Sequence, residues 1–97
     1  MFDETAAKEL LAVVRLRVKR LRKERNLSQE EVADSVPMDT RMLQRFEAGD
    51  FEETDPRIRT FMKVAYGLGI GVHELLSPPT DEERQYLEQL AKSVPKD

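Results

Sequence analysis

The feature that most constrains this sequence is residues 27–49, where two short helical patterns each open with a capping residue and close with a residue that ends a helix. Ser28 stands before an apolar-periodic run and Glu31 follows three residues later, the spacing of a capping box in which each side chain accepts the other residue's backbone N–H. Pro37 ends this run because proline cannot donate the next backbone hydrogen bond. The pattern predicts a helix of about two turns that begins at about Gln29.

A second helix is predicted at Thr40–Ala48. Asp39 precedes it and is a favourable N-cap, since its carboxylate can accept an otherwise unpaired backbone N–H. Leu43 and Phe46 lie one turn apart on the inward face of this helix. Gly49 follows it and is the residue type that closes a helix in the left-handed conformation. Both ends of the second helix are therefore predicted from neighbouring residues.

Two short helices joined by about four residues must cross steeply, and the small side chain of Ala33 suits the point where their backbones approach. The pattern predicts a helix-turn-helix motif over residues 28–48, whose second helix presents a polar face to solvent. The residues on that face are Thr40, Arg41, Gln44 and Arg45.

Composition restricts the class of protein. A chain of 97 residues supports one domain with a single modest core. Charged residues make up 36 % and aromatic residues 6 %, with few glycines and prolines, which favours an all-helical fold over a sheet. The chain has no cysteine and therefore no disulfide or thiolate metal site. No apolar run approaches the roughly 18–20 residues that cross a bilayer, and the acidic N-terminus is unlike a signal peptide, so we expect a cytoplasmic protein with no membrane partner.

Charge is distributed unevenly along the chain. The formal net charge is −3, which by itself counts against a nucleic-acid partner. Residues 15–25, however, hold seven basic residues against one glutamate, whereas residues 50–55 (DFEETD) hold four acids and no base. A chain with this dipolar pattern can steer a polyanion to one face and exclude it from another.

A long first helix is predicted over residues 6–24, because this run contains no glycine and no proline, and Asn26 ends it. One face of this helix is apolar. Its stripe consists of Leu10, Leu11, Val14, Val18 and Leu21. Two coverings of the N-terminal part of the stripe remain open, namely the chain's own C-terminal segment or a second copy of the chain.

Three further helices are predicted downstream. Pro56 opens the fourth helix, and a short fifth helix lies between Ile70 and Leu76. Thr80 and Glu83 repeat the capping-box spacing and open a final helix to about residue 93. The predicted buried stripe of the fourth helix is Ile58, Phe61, Met62, Ala65 and Leu68, with Val64 beside them. The prediction divides the chain into a helix-turn-helix domain at residues 1–79 and a C-terminal helix at residues 80–97, for dimerisation or packing.

Residues 18–76 resemble the phage repressor and Cro type of helix-turn-helix domain, also called the Xre family. The resemblance rests on the motif LSQEEVA, the apolar Leu43, the pair Phe46 and Glu47, and Gly49. It implies an all-α, five-helix repressor-like domain, here with an extended first helix and an additional C-terminal helix. It also implies a sequence-specific transcriptional regulator, a repressor, that binds duplex DNA through the major groove as a homodimer.

The same resemblance assigns site residues. The family's base-reading positions match Thr40, Arg41 and Arg45, with Gln44 at the rim, and the planar fork of arginine suits N7 and O6 of guanine. The glutamine of the family's LSQ motif bonds a DNA phosphate, which makes Gln29 the corresponding candidate; otherwise it is an ordinary surface residue. Candidates for nonspecific phosphate contact on the first helix are Arg17, Lys19, Arg20 and Lys23. The structural alternative for the two recognition arginines is ion pairing with Glu47 or the acidic loop.

A protein-binding function is the alternative to DNA binding. The acidic residues 50–55 depart from the family pattern, because carboxylates within a Debye length repel phosphates. RMLQRFEAGDF, followed by RTFMKVAYGLGI, is similar to the N-terminal domain of the bacterial cell-shape protein RodZ, in which the same fold binds an actin-like filament instead of DNA. An antitoxin that holds a toxin with its extra helices belongs to the same alternative.

No enzyme is predicted from the sequence. The serines lack a histidine partner, no glycine-rich phosphate loop is present, and the paired acids lie at caps or in a loop. His73 is the only histidine and is expected to be solvated. The sequence therefore predicts no catalytic residue, no metal site and no cofactor.

Overall fold

The computed structural model describes residues 2–49 and 56–93, and these form helices joined by short connections. The predicted all-α fold is confirmed. The helices are α1 (Glu4–Glu24), α2 (Gln29–Ser35), α3 (Thr40–Ala48), α4 (Ile58–Leu68), α5 (Val72–Leu75) and α6 (Asp81–Ser93). The predictions about the acidic residues 50–55 concern a segment outside the described residues. Within the described part of the chain, none of the helices combines the length and apolarity needed to cross a membrane.

The helix ends of the predicted helix-turn-helix motif form as their capping residues indicate. Ser28 Oγ accepts the backbone N–H of Glu31 at 3.0 Å, and the Glu31 carboxylate accepts the backbone N–H of Ser28 at 3.0 Å. Asp39 accepts the backbone N–H of Arg41 at 2.9 Å. Gly49 closes α3 with φ of 75°, a left-handed conformation that favours glycine. The bounds predicted for α3 and the start predicted for α2 are therefore confirmed.

The start of α1 differs from the prediction. The helix begins at Glu4 instead of residue 6, because the Asp3 carboxylate accepts the backbone N–H groups of Thr5 and Ala6 at 3.0 and 3.1 Å. Asn26 takes a left-handed conformation with φ of 54° just after the helix, as a residue that ends a helix should.

The core lies where α1 to α5 converge. Its largest fully or nearly fully buried side chains come from every one of these helices. They are Val14, Val18, Val32, Leu43, Phe46, Phe61, Val64, Leu68 and Leu75. The rings of Phe46 and Phe61 meet edge to face, with centroids 5.4 Å apart. Ala33 is wholly buried, as the close crossing of α2 and α3 requires. This core fixes the orientation of α3.

The apolar stripe predicted for α1 is covered by the chain's own core. Val14 and Val18 are buried, and Leu10, Leu11 and Leu21 pack against the buried cluster. A second copy of the chain is therefore not needed to explain this stripe.

The prediction of which α4 residues are buried is wrong for two of them. Ile58 and Met62 are 61 % and 53 % exposed, whereas Val64 is fully buried. The inward face of α4 consists of Phe61, Val64, Ala65 and Leu68, with the spacing of three and four residues typical of a helix that packs on one side. Ile58 and Met62 are four residues apart and lie on a neighbouring stripe that turns outward.

Arg17 joins α6 to the rest of the fold. Its guanidinium donates two hydrogen bonds to the Glu83 carboxylate, at 2.8 and 2.7 Å. It also donates to the carbonyl oxygens of Leu75, Ser77 and Pro78, at 3.0, 2.6 and 3.0 Å. All five N–H groups of this buried side chain are thus used. The guanidinium ties the end of α5, the connection and the first turn of α6 to α1.

This ion pair makes the stability of the fold depend on pH. Hydrogen bonding from Arg17 lowers the pKa of Glu83 from 4.5 to about 2, against an opposing effect of burial. Because the pKa is lower in the folded chain, the stabilisation is fully present above pH 4.5 and is lost as the pH falls toward 2. A shift of this size corresponds to about 3 kcal/mol.

We expect Glu83→Gln to remove this dependence. In urea unfolding near neutral pH the variant should be less stable than the parent chain by up to about 3 kcal/mol, and the difference should disappear near pH 2. Glu88→Gln, at an exposed position of the same helix, is the matched control and should leave the pH profile unchanged. If the free energies of unfolding of Glu83→Gln and the parent chain differ by the same amount from neutral pH to pH 2, the pH dependence does not come from the Arg17–Glu83 ion pair.

Candidate nucleic-acid interface

The outward face of α3 carries the residues predicted to read bases. Leu43 is fully buried and Phe46 is 2 % exposed, so the inward face of the helix is anchored in the core. Arg41, Gln44 and Arg45 are exposed and Thr40 is half-buried at the first turn. The helix brings all four polar side chains to the same side of the motif, as the periodicity of its sequence predicts.

The structure does not support ion pairing of Arg41 and Arg45 with Glu47. Within residues 2–49 and 56–93 neither arginine has an ion-pair partner. Glu47 is 4 % exposed, and its carboxylate accepts two hydrogen bonds from Arg22, at 2.8 and 2.9 Å. Arg41 and Arg45 are exposed, and the Glu47 carboxylate is bound to Arg22 instead of to either of them.

Arg22 holds α3 against α1. Besides its two bonds to Glu47, its guanidinium donates to the carbonyl oxygen of Leu27 at 2.9 Å, just before α2. The hydrogen bonds to Glu47 raise the pKa of the Arg22 guanidinium above its ordinary value. One side chain thus connects α1, the start of the helix-turn-helix motif and the end of α3.

Arg15 supports the same end of α3. Its Nη1 donates to the carbonyl oxygen of Glu47 at 3.3 Å, and its side chain lies against Gly49 so closely that a Cβ there would stand 2.9 Å from the Arg15 Cδ. The seven-residue spacing indicates that Arg15 and Arg22 share one face of α1. The sequence does not indicate which other helix that face contacts.

Four of the five predicted phosphate contacts lie on the surface of the structure. Gln29 is the first residue of α2, where free backbone N–H groups favour anions, and its side chain is half-buried. Lys19, Arg20 and Lys23 are exposed, and they border a groove between α1 and α6. Arg20 lies 3.8 Å from Glu24, a pair whose side chains are both more than half exposed and which holds the arginine weakly. These residues stay candidates.

The prediction that Arg17 contacts phosphate is wrong. Its side chain is only 7 % exposed, and all of its donors are bound within the fold. In the sequence Arg17 is one of seven similar basic residues. In the structure its position on α1 directs its side chain toward α5 and α6. A buried guanidinium with satisfied donors has neither access nor capacity for a further anion.

A family model and a solved structure are similar to this chain. A model of the helix-turn-helix family matches residues 18–75. Among solved structures, the crystal structure of a hypothetical transcription factor, NHTF from Neisseria, is similar with a TM-score of 0.63 and 28 % sequence identity. The similarity covers 80 % of this chain and 84 % of that one. No curated protein matches the chain.

Proposed function

This chain belongs to the helix-turn-helix family, and from that premise we propose that it is a sequence-specific transcriptional regulator, a repressor, that binds duplex DNA. The single observation that carries the proposal is the outward face of α3. Arg41 and Arg45 are exposed there without an ion pair on the described surface, while the opposite face of the helix is fixed by Leu43 and Phe46. A rigid helix with open guanidinium groups is the arrangement that reads a major groove.

The base contacts follow from chemistry. A guanidinium can donate two parallel hydrogen bonds to N7 and O6 of a guanine, and a good pair of this kind contributes roughly 1–3 kcal/mol of discrimination. Arg41 and Arg45 are four residues apart on α3 and project from the same side of it. Thr40 and Gln44 flank them and supply shorter donors and acceptors. The binding site should therefore contain at least one guanine in each half-site.

Phosphate contacts would hold the motif against the duplex. Gln29 at the first turn of α2 can donate from its side chain and its backbone to a phosphate oxygen, since the first N–H groups of a helix have no partner within it. Exposed Lys19, Arg20 and Lys23 add positive charge, which strengthens binding to any sequence and makes it sensitive to salt.

Selection of bound duplexes from a random pool tests the proposal most directly. We expect enrichment of a site with guanine in each half, and affinity for that site should fall steeply as the salt concentration rises. A pool that enriches no sequence would contradict sequence-specific binding and favour the protein-binding alternative, which is that the fold serves as an adaptor or antitoxin.

We further propose that the chain acts as a homodimer through the groove between α1 and α6. The α1 wall of the groove carries Lys19, Arg20 and Lys23, and the α6 wall carries Glu82. Leu16 from α1 and Tyr86 and Leu90 from α6 also line it. A copy related by a two-fold axis would set the acidic wall of one chain against the basic wall of the other. Dimeric helix-turn-helix proteins in general bind two half-sites about one helical turn, roughly 34 Å, apart.

Sedimentation separates the two roles of the basic wall. At micromolar concentration we expect the parent chain to sediment as a dimer, Lys23→Glu as a monomer, and the charge-swapped Lys23→Glu/Glu82→Lys chain as a dimer again. If Lys23 contacts phosphate instead, Lys23→Glu should weaken all duplexes alike without changing sedimentation. A parent chain that is monomeric at this concentration would contradict the dimer.

A further inference from the structure

A stripe of exposed apolar side chains runs along α4 beside its core-facing side. Ile58, Met62 and Tyr66 are spaced by four residues and are 61 %, 53 % and 78 % exposed. Three large apolar side chains in line on one helix are more than the scattered exposure that a soluble surface normally shows. The core does not need them, because Phe61, Val64, Ala65 and Leu68 already anchor the helix.

The stripe borders a shallow groove. Met62 and Tyr66 form one side of it, and Val36 and Pro37 at the end of α2 form the other. Lys63 reaches across from α4 and its Nζ donates to the carbonyl oxygen of Pro37 at 3.1 Å. The groove is therefore a concave surface between two helix elements, which can receive the side chains of a partner.

Among the residues that the structure describes, the charged side chains lining the groove have one sign. Helix α4 contains no aspartate or glutamate, and the charged residues that line the groove are Arg59 and Lys63, both basic. Two copies of the chain that met through this face would bring like charges together, which disfavours self-association here. A partner with carboxylates beside its apolar side chains would instead pair with both arginine and lysine.

We propose that this face of α4 docks an acidic amphipathic helix of another protein. The stripe extends over a little more than two turns, about 12 Å, and apolar residues of a partner helix at spacings of three and four would lie along it. Arg59 and Lys63 would donate hydrogen bonds to its flanking carboxylates. The surface is distinct from the outward face of α3, so the proposal does not depend on the DNA-binding function.

A model peptide tests the proposal on the full chain. The probe is a helical peptide of about five turns, with leucine on one face and glutamate on the rest; the comparison peptide has lysine in place of every glutamate. In two-dimensional amide NMR we expect the glutamate peptide to shift signals of α4 and of Ser35 and Val36. The lysine peptide should leave these signals in place. Equal shifts from both peptides, or shifts confined to other helices, would overturn the proposal.

Matched variants locate the surface. Met62→Gln and Arg59→Glu should each weaken binding of the glutamate peptide about tenfold or more. Met42→Gln is the control, because Met42 is exposed to a similar degree, 49 %, but lies on α3. Equal effects of Met62→Gln and Met42→Gln would overturn the proposal. The last measurement adds vesicles of anionic phospholipid to the chain. If the vesicles remove the α4 signals and the glutamate peptide shifts none of them, this face of α4 binds membrane and the proposal is overturned.

Discussion

Replacing Arg41 and Arg45 with alanine is expected to abolish sequence discrimination by this chain. Each substitution should weaken binding to the selected duplex by roughly 1–3 kcal/mol, because each removes a pair of hydrogen bonds to a base edge. Affinity for unrelated duplexes should change little beyond the loss of one positive charge. Fluorescence anisotropy with the selected and a scrambled duplex, at two salt concentrations, measures both effects.

Two controls accompany this measurement. Gln29→Ala should weaken all duplexes alike, because a phosphate contact carries no sequence information. Arg84→Ala removes an exposed arginine on α6, where it pairs with Glu9 at 3.2 Å, and should leave discrimination unchanged. If Arg41→Ala and Arg45→Ala leave affinity for the selected duplex unchanged, α3 does not read bases and the proposed function is wrong.

Removing Arg22 is expected to come close to unfolding the chain. Arg22→Met leaves the Glu47 carboxylate buried without its cation, and breaking a buried ion pair in this way costs about 3–5 kcal/mol. A domain of this size has a total stability of roughly 5–10 kcal/mol. Urea unfolding followed by circular dichroism should show the midpoint shift to much lower denaturant concentration.

A double-mutant cycle distinguishes the stabilisation contributed by the Arg22–Glu47 ion pair from the cost of leaving one unpaired charge in the interior. Arg22→Met/Glu47→Leu should be more stable than the sum of the single changes implies, because it leaves no unpaired charge in the interior. Arg20→Met breaks the exposed pair with Glu24 and should cost no more than about 1 kcal/mol. Similar losses for Arg20→Met and Arg22→Met would show that burial of Glu47 does not set the cost.

The parts of the fold that follow from neighbouring residues could be predicted. The capping box of Ser28 and Glu31, the Asp39 cap and the left-handed Gly49 each act within one turn, so their spacing alone fixes where α2 begins and where α3 begins and ends. The inward and outward faces of α3 follow from helical periodicity in the same way. The residues of the candidate base-reading face of α3 could therefore be predicted from the sequence.

The parts that depend on contacts between distant residues could not be predicted. Arg15, Arg17 and Arg22 look alike in a run of seven basic residues, yet all their partners except Leu27 lie 25 to 66 residues away. Which arginines enter the fold is set by the packing of α3 and α6 on α1. For the same reason the sequence did not show that Ile58 and Met62 face outward, since both neighbouring stripes of α4 are apolar.

The position of Arg17 also sets the smallest piece of this protein that can be expected to fold. Its acceptors lie between residues 75 and 83, beyond or at the very end of the family match at residues 18–75. A fragment that kept all of α1 but ended at residue 75 would retain one of these acceptors, the carbonyl oxygen of Leu75, and would leave the other donors of the Arg17 guanidinium without their partners. We therefore expect the smallest folding unit to extend through Pro78 and Pro79 into the first turn of α6, where Glu83 pairs with Arg17.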